Sequence, residues 1–314
     1  MIEVFKKVKE KVVPGKIDDL KSSQFVWVDV VKPTSDDLKL VSEYASIPLR
    51  DLNECTDTGE RPRVAEYDEY SVIIFSASTD GKFPRVTPVS IFISTAKKQN
   101  IITIRHKSME SFDLLRKRIT ENVSLLENHE IFVRNVLDHI TSKYFTIFDQ
   151  LDDEIDMVET SIFKRHAESH VQNLFKIKKT LIYFHKALTA NREVVTAIEK
   201  QYLKHISKKE LKEFRLMYND IVQLIDTCDT QRDVTTGVID IYLSSVSNQT
   251  NEVVKKLTVI ASFVLVPTLI SGIYGMNFRI MPEIPWAYGY PFALGLMVFS
   301  VIAMWLYFKK VNWL

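Results

Sequence analysis

The sequence predicts an α+β membrane protein, with an N-terminal cytoplasmic α/β domain, a long helical stalk and two C-terminal transmembrane helices. Three features of the 314 residues carry that expectation. Short β-rich runs are confined to residues 1–110. No proline falls between Val89 and Val266, and Gly237 is the only glycine there, so neither of the residues that most disfavour a helix interior interrupts this stretch. Beyond residue 256 lie two uncharged stretches, 257–278 and 284–308, each long enough to cross a hydrocarbon core about 30 Å thick.

Composition excludes more than it assigns. With 46% hydrophobic and 26% charged residues and a formal net charge of +1, nothing points to nucleic acid or to an acidic substrate. Cys55 and Cys228 stand far apart, offer no disulfide framework and fit a reducing cytoplasm. The lysines of residues 1–16 flank no apolar core, so no secretory signal is expected and the soluble part is expected to stay inside the cell. No GxxxxGK[ST] pattern occurs, and neither ATP hydrolysis nor any other enzyme activity is expected.

Residues 1–125 read as the α/β domain. Strands are expected at 25–31, 71–76, 89–94 and 101–105, the last two forming a hairpin across 95–100. A helix over 35–45 can be capped by Thr34 or Ser35. Residues 126–206 read as long antiparallel helices. In the first, Ile140, Tyr144, Ile147, Leu151, Ile155, Val158 and Ile162 recur at steps of three and four and make one apolar face. The second covers 171–203. Ser207 and Glu210 then have capping-box spacing and restart a helix. Continued to Met276 this helix would be about 100 Å long at about 1.5 Å per residue. Residues 207–278 are thus a stalk running into the first span at 257–278. A loop at 279–285, a second span at 286–308 and a tail at 309–314 follow.

Lys255 and Lys256 precede the first span and Lys309 and Lys310 follow the second, whereas the loop carries only Arg279. This imbalance of cations predicts that both termini are cytoplasmic and the loop external. The four lysines would form a basic collar at the inner membrane surface.

Along the stalk and first span, steps of four and three pick out Asp233, Gly237, Asp240, Ser244, Ser247, Asn251, Val254, Thr258, Ala261, Leu265, Thr268, Gly272 and Gly275. A coiled-coil seam would place Leu, Ile and Val at such positions. Here small, polar and acidic residues dominate, and two readings stay open: close packing of helices through small side chains, or a wet axial pore among several copies. On the pore reading Asp233 and Asp240 form acidic rings that favour cations, while Val254 and Leu265 are narrow apolar girdles. The C-terminal end of the first span would turn its unpaired carbonyls toward an arriving cation.

At that end the chain reads Tyr274-Gly275-Met276-Asn277-Phe278, followed by Met281-Pro282-Glu283-Ile284. This signature resembles the CorA family of magnesium transporters. Pro267-Thr268, Lys309-Lys310 and the run 242–248 are similar to that family too. The likeness is specific over residues 230–314 and less sharp upstream. It implies a funnel-shaped homopentamer in the cell membrane, with the first span of each subunit around a central pore and Mg2+ as the transported ion. Tyr274, Gly275, Met276 and Asn277 would form the selectivity filter. Magnesium gives up its water reluctantly, and a ring of Asn277 amide oxygens could accept hydrogen bonds from a hydrated ion without stripping it. Gly275 would let the backbone turn, Met276 would support packing, and Glu283 would gather cations at the mouth. Taken alone, Asn277 also reads as a helix C-cap. Leu257 falls where relatives line the pore, yet it stands one residue off the seam.

The resemblance further implies regulation by cytoplasmic magnesium held between subunits. Relatives place an aspartate after the arginine corresponding to Arg215, whereas this chain has Leu216. Asp220 and Asp80 are the substitutes, and Asp149, Asp152, Asp153 and Asp156 crowd one part of a helix, where like charges repel or form a solvated face. His166 and His170 have zinc-binding spacing on a helix, without a further ligand nearby. No nucleic acid is expected as a partner; the bilayer and other copies of the chain are. Cobalt or nickel transport, a zinc transporter of the same superfamily, and a membrane-anchored oligomeric interaction protein are the alternatives. A doubly charged ion crossing about 100 mV releases about 4.6 kcal/mol, so the membrane potential alone could drive uptake.

Overall fold

The β-branched runs assemble into one sheet. A computed structural model describes residues 1–9, 11–21, 25–94, 100–126, 128–161, 168–203, 206–279 and 281–313. Strands β1 (Ile2–Val8), β2 (Lys11–Pro14), β3 (Val26–Val31), β4 (Arg63–Glu66), β5 (Tyr70–Ser78), β6 (Val86–Ser94) and β7 (Asn100–Arg105) lie in the order β2-β1-β3-β7-β6-β5-β4. All neighbours are antiparallel except β3 and β7. The four strands expected from sequence are β3, β5, β6 and β7, the interior of the sheet. The strands missed, β1, β2 and β4, lie toward its two edges; β2 and β4 have only four residues each, and charged residues interrupt all three, which protects edges and hides them from a search for apolar runs. Strands β6 and β7 pair antiparallel as expected, from Val89 opposite Arg105; residues 95–99 of their connection lie outside the described set. Pro88 stands just beyond that ladder, where no N–H toward β7 is needed.

Helices α1 (Ser35–Ala45) and α2 (Leu49–Glu54) cover one face, packing Leu38, Val41 and Leu52 against Val28, Val30, Phe92 and Ile104. The capping box of α1 is complete: Asp37 N–H donates to Thr34 Oγ1 at 3.2 Å and Thr34 N–H to Asp37 Oδ2 at 3.0 Å.

Helices α3 (Glu110–Glu121), α4 (His129–Ser161) and α5 (Glu168–Glu199) serve the other face. Trp27 of β3 packs on Phe132 of α4 with ring centroids 5.1 Å apart. Tyr144 of α4 donates to the Ser76 carbonyl at 3.1 Å, and the Asn191 amide of α5 bonds both Ser76 N–H and C=O at 2.8 Å. Phe184 of α5 meets Tyr144 and Phe148 edge-on, at 5.0 and 5.9 Å. The apolar positions expected to share one face of α4, from Ile140 to Val158, are all buried, and Ile162 lies outside the described residues. Beneath α3, Asp29 is wholly buried and is paired with Arg105 at 2.7 Å and with Arg116 at 2.6 Å, so two guanidinium groups compensate one buried carboxylate.

Helix α6 (Lys208–Tyr274) has 67 residues, and α7 (Gly289–Lys310) has 22. The capping box expected at the start of α6 takes a different partner. Ser207 N–H donates to the Glu130 carboxylate of α4 at 3.0 Å, while Glu210 pairs with Arg134 at 3.0 Å. Tertiary packing supplies the acceptor that local spacing had assigned to Glu210. The chain divides into two compact units, Met1–Ile239 and Asp240–Leu314, and α6 contributes to both.

Candidate functional site

The stripe read from the heptad steps is a surface. Asp233, Gly237, Asp240, Ser244, Ser247, Asn251, Val254, Thr258, Ala261, Leu265, Thr268, Gly272 and Gly275 are all exposed on the single chain, and so is Leu257. The buried residues of α6 within the second unit, Val259 and Ile270, lie elsewhere on the helix, with Phe263, Val266, Pro267 and Tyr274 partly covered. On α7 the covered positions are Gly289, Ala293, Met297, Ser300, Val301, Met304 and Phe308, one side of that helix. Phe263 and Phe308 meet edge-on at 6.0 Å. The helical hairpin therefore buries one side of the first span and leaves the polar stripe for something else.

Both helices contain windows of mean hydropathy 2.0 of which only 11% is buried. A soluble core helix of that hydropathy would be covered by its own fold; these are not, as expected of spans facing lipid or further copies. Exposed Trp286, Tyr288 and Tyr290 gather at the start of α7, and Trp305, Tyr307 and Trp313 at its end. Such rings favour the headgroup level on each side of a bilayer. Lys309 lies 4.8 Å over the Trp305 ring, Lys310 and Lys256 are exposed, and Lys255 pairs with Glu252 at 3.0 Å.

Two hydroxyls on the stripe are oriented by their own helix. Thr258 donates to the Val254 carbonyl at 2.8 Å and Thr268 to the Val264 carbonyl at 2.7 Å. With the proton turned inward, each hydroxyl oxygen keeps acceptor lone pairs for an outside donor such as the water around a cation. Helix α6 closes with backbone bonds: Gly275 N–H to Ser271 O at 2.9 Å and Met276 N–H to Ile273 O at 3.2 Å. The Asn277 amide makes no hydrogen bond among the described residues and is exposed, and its φ is not positive, so it forms no left-handed cap. Gly275 does not take the left-handed conformation expected of a turning residue; Gly81 is the one described glycine with positive φ. The chain leaves the helix here without a left-handed step.

The loop after Asn277 is closed at Gly289. A Cβ at this position would lie 2.2 Å from the Glu283 carbonyl oxygen, so only glycine permits the contact. Gly289 N–H donates to Trp286 O at 2.9 Å and Ile284 N–H to Met281 O at 3.2 Å. Glu283 itself is exposed. Sequence reasoning missed Gly289, for nothing local separates it from a helix-starting glycine.

The regulatory candidates stand apart. Asp149, Asp153 and Asp156 are exposed on α4, and Asp152 accepts from Gln231 Nε2 at 3.4 Å. Asp80 accepts the Glu110 N–H at 3.1 Å at the start of α3 and lies 4.0 Å from Lys143. Asp220 of α6 faces Asp138 of α4; burial first, and then that second carboxylate, hold its pKa above the ordinary aspartate value. Asp138 stood in no motif and is 82 positions away in sequence, so only the packing of α4 on α6 reveals it. Among the described residues no group of three His, Cys, Asp or Glu side chains gathers in a single chain. His166 and the side chain of His170 lie outside the described residues.

Comparison with known proteins gives one answer. A family described as CorA-like Mg2+ transporter protein matches residues 22–310. The chain is 32% identical to the cobalt/magnesium transport protein CorA of Thermotoga maritima, over 100% of this chain and 90% of that protein. It is 30% identical to the protein of the same name from Methanocaldococcus jannaschii, over 96% of each. Its fold superposes on the complete structure of the CorA magnesium transporter from Methanocaldococcus jannaschii with a TM-score of 0.87, at 27% identity, covering 100% of this chain and 99% of that one. From the uncharged spans and the Tyr-Gly-Met-Asn end of α6 to these full-length matches, every line leads to one family: the chain belongs to the CorA-like Mg2+ transporter proteins.

Proposed function

We propose that this protein carries magnesium across the cell membrane as a homopentamer, through an axial pore lined by the polar stripe of α6. The chain is a transporter and not an enzyme. The observation that carries the pore is the exposure of every stripe position while α7 covers another side of the first span. Within the span the stripe offers Thr258, Ala261, Thr268, Gly272 and Gly275, small side chains and hydroxyl oxygens with acceptor capacity left over, which suit a wet axis or a facing helix better than lipid. Copies meeting along it around a wet axis give those oxygens water to bond. Cobalt is a secondary cargo, in keeping with relatives whose names include both metals.

Asn277 is the proposed filter residue, with Tyr274, Gly275 and Met276 holding it in place and Glu283 raising the cation concentration at the mouth. Its amide is exposed and without a hydrogen bond among the described residues. It can therefore accept from the waters of a hydrated ion, where a carboxylate would bind more tightly and release more slowly. Both termini are cytoplasmic on the lysine count, and the potential drives the ion inward. Regulatory magnesium is proposed to bind at Asp220, where a second carboxylate already crowds the first and a divalent cation would relieve the repulsion.

Proteoliposomes holding a magnesium dye test the pore. Wild type is expected to admit magnesium at a rate that rises with an inside-negative potential, and Asn277→Ala is expected to lower that rate by about tenfold or more, the loss of charge-assisted contacts. An inactive wild type of confirmed assembly, or an unaffected variant, sinks the proposal.

A further inference from the structure

A cavity of about 710 Å3 opens in the first unit, between the loop that follows α2 and one side of α5, and nothing in the transport reading uses it. Its size is that of a small-molecule site, roughly 300–1,000 Å3. Arg61 and Lys186 reach its wall from these two elements. Neither makes an ion pair among the described residues, whereas the two acidic residues of the lining are compensated. Glu60 pairs at 3.3 Å with Arg63, which also reaches Glu54 at 3.5 Å, and Glu193 pairs with Arg192 at 3.4 Å. Arg61 and Lys186 are thus the charged groups of the lining left to receive an anion.

The rest of the lining is apolar or aromatic. Pro62 and Pro88 supply flat faces, and the Tyr183 ring is 47% exposed. At the back stands Ser76, whose backbone is fixed by Asn191 and Tyr144, so this part of the cavity is held in place without a ligand. Two cations near a ring and proline faces are complementary to a molecule with charged oxygens at one end and a planar group at the other. Guanidinium suits phosphate oxygens bidentately, and a tyrosine face suits a planar ring. We propose that this cavity binds a nucleoside phosphate, with Arg61 and Lys186 on the phosphates and Tyr183 against the base.

Full-length protein in detergent with excess EDTA provides the test, since chelation of magnesium by the nucleotide then has no effect. The probes are ATP, inorganic triphosphate and adenosine, followed by calorimetry. ATP is expected to bind saturably, and Arg61→Ala and Lys186→Ala are each expected to weaken it by about tenfold, one charge-assisted hydrogen bond apiece. Tyr183→Leu is expected to weaken ATP and leave triphosphate unchanged, and adenosine alone is expected to bind least. All three side chains are exposed, so the variants should fold; Lys212→Ala, outside the cavity, is expected to match wild type. Absence of saturable ATP binding, or equal binding after loss of both cations, overturns the site. Triphosphate binding as tightly as ATP overturns its assignment to a nucleoside.

Discussion

Single residues decide the two ends of the proposed conduction path. At the outer end Gly289 lets the loop backbone approach α7 at a distance no Cβ tolerates. Gly289→Ala must push the Glu283 carbonyl away, and overpacking of this kind costs roughly 1–3 kcal/mol. The variant is expected to unfold at lower temperature in a detergent melting assay and to conduct less; an unchanged melting curve would remove the close approach from the account. In the first unit Asp220 titrates above the usual range because of burial and of Asp138. A carboxyl whose folded-state pKa is raised adds stability at acid pH and loses it as pH rises through that value. Asp220→Asn is therefore expected to stabilise the protein at neutral pH, with the gain shrinking toward the acid limb. Magnesium should stabilise wild type more than the variant. A pH-independent difference, or equal magnesium response, would argue against regulation there.

At the scale of elements, α6 offers a covered side and an exposed stripe, and cysteine substitution can tell them apart. The native thiols are suitable as a silent background. Cys55 and Cys228 are buried, and burial pushes their pKa values up to about 11 and about 12. A thiol held that far from ionising reacts slowly. Thr258→Cys and Gly272→Cys, on the stripe, are expected to react with a charged, membrane-impermeant thiol reagent in assembled protein and to block flux. Val259→Cys and Ile270→Cys, on the covered side, are expected to stay protected. Equal protection of all four would mean dry packing along the stripe, the other reading of its small residues.

For the whole molecule the decisive quantity is the number of copies. A single chain exposes its polar stripe together with many large apolar side chains, among them Leu257, Leu265 and Ile273, and has no internal surface to cover them. Lipid can cover Ile273 and its like, whereas the stripe, Leu265 included, is left for other copies. Mass determination of the detergent-solubilised protein is expected to give five times the 36.4 kDa chain mass; a monomer would leave the proposed pore without walls.

How much could be read in advance follows from which interactions are local. The amino-acid order alone determined the two spans, the long helices and the interior strands, because hydrophobic length and periodicity are properties of neighbouring residues. It also determined the Tyr-Gly-Met-Asn end of α6 and the helix over 35–45 with a cap at Thr34 or Ser35, of which the structure uses Thr34; these depend on contacts within a few positions. The strands toward the edges escaped because β2 and β4 are only four residues long and charged residues interrupt the apolar positions of all three. Only the tertiary structure decided that Glu130, and not Glu210, receives the Ser207 N–H, that Asp138 faces Asp220, that Asp29 takes both Arg105 and Arg116, and that Gly289 must be glycine. Each of these joins groups brought near one another by packing, and the energy of a contact depends on distance in space, which distance along the chain does not report.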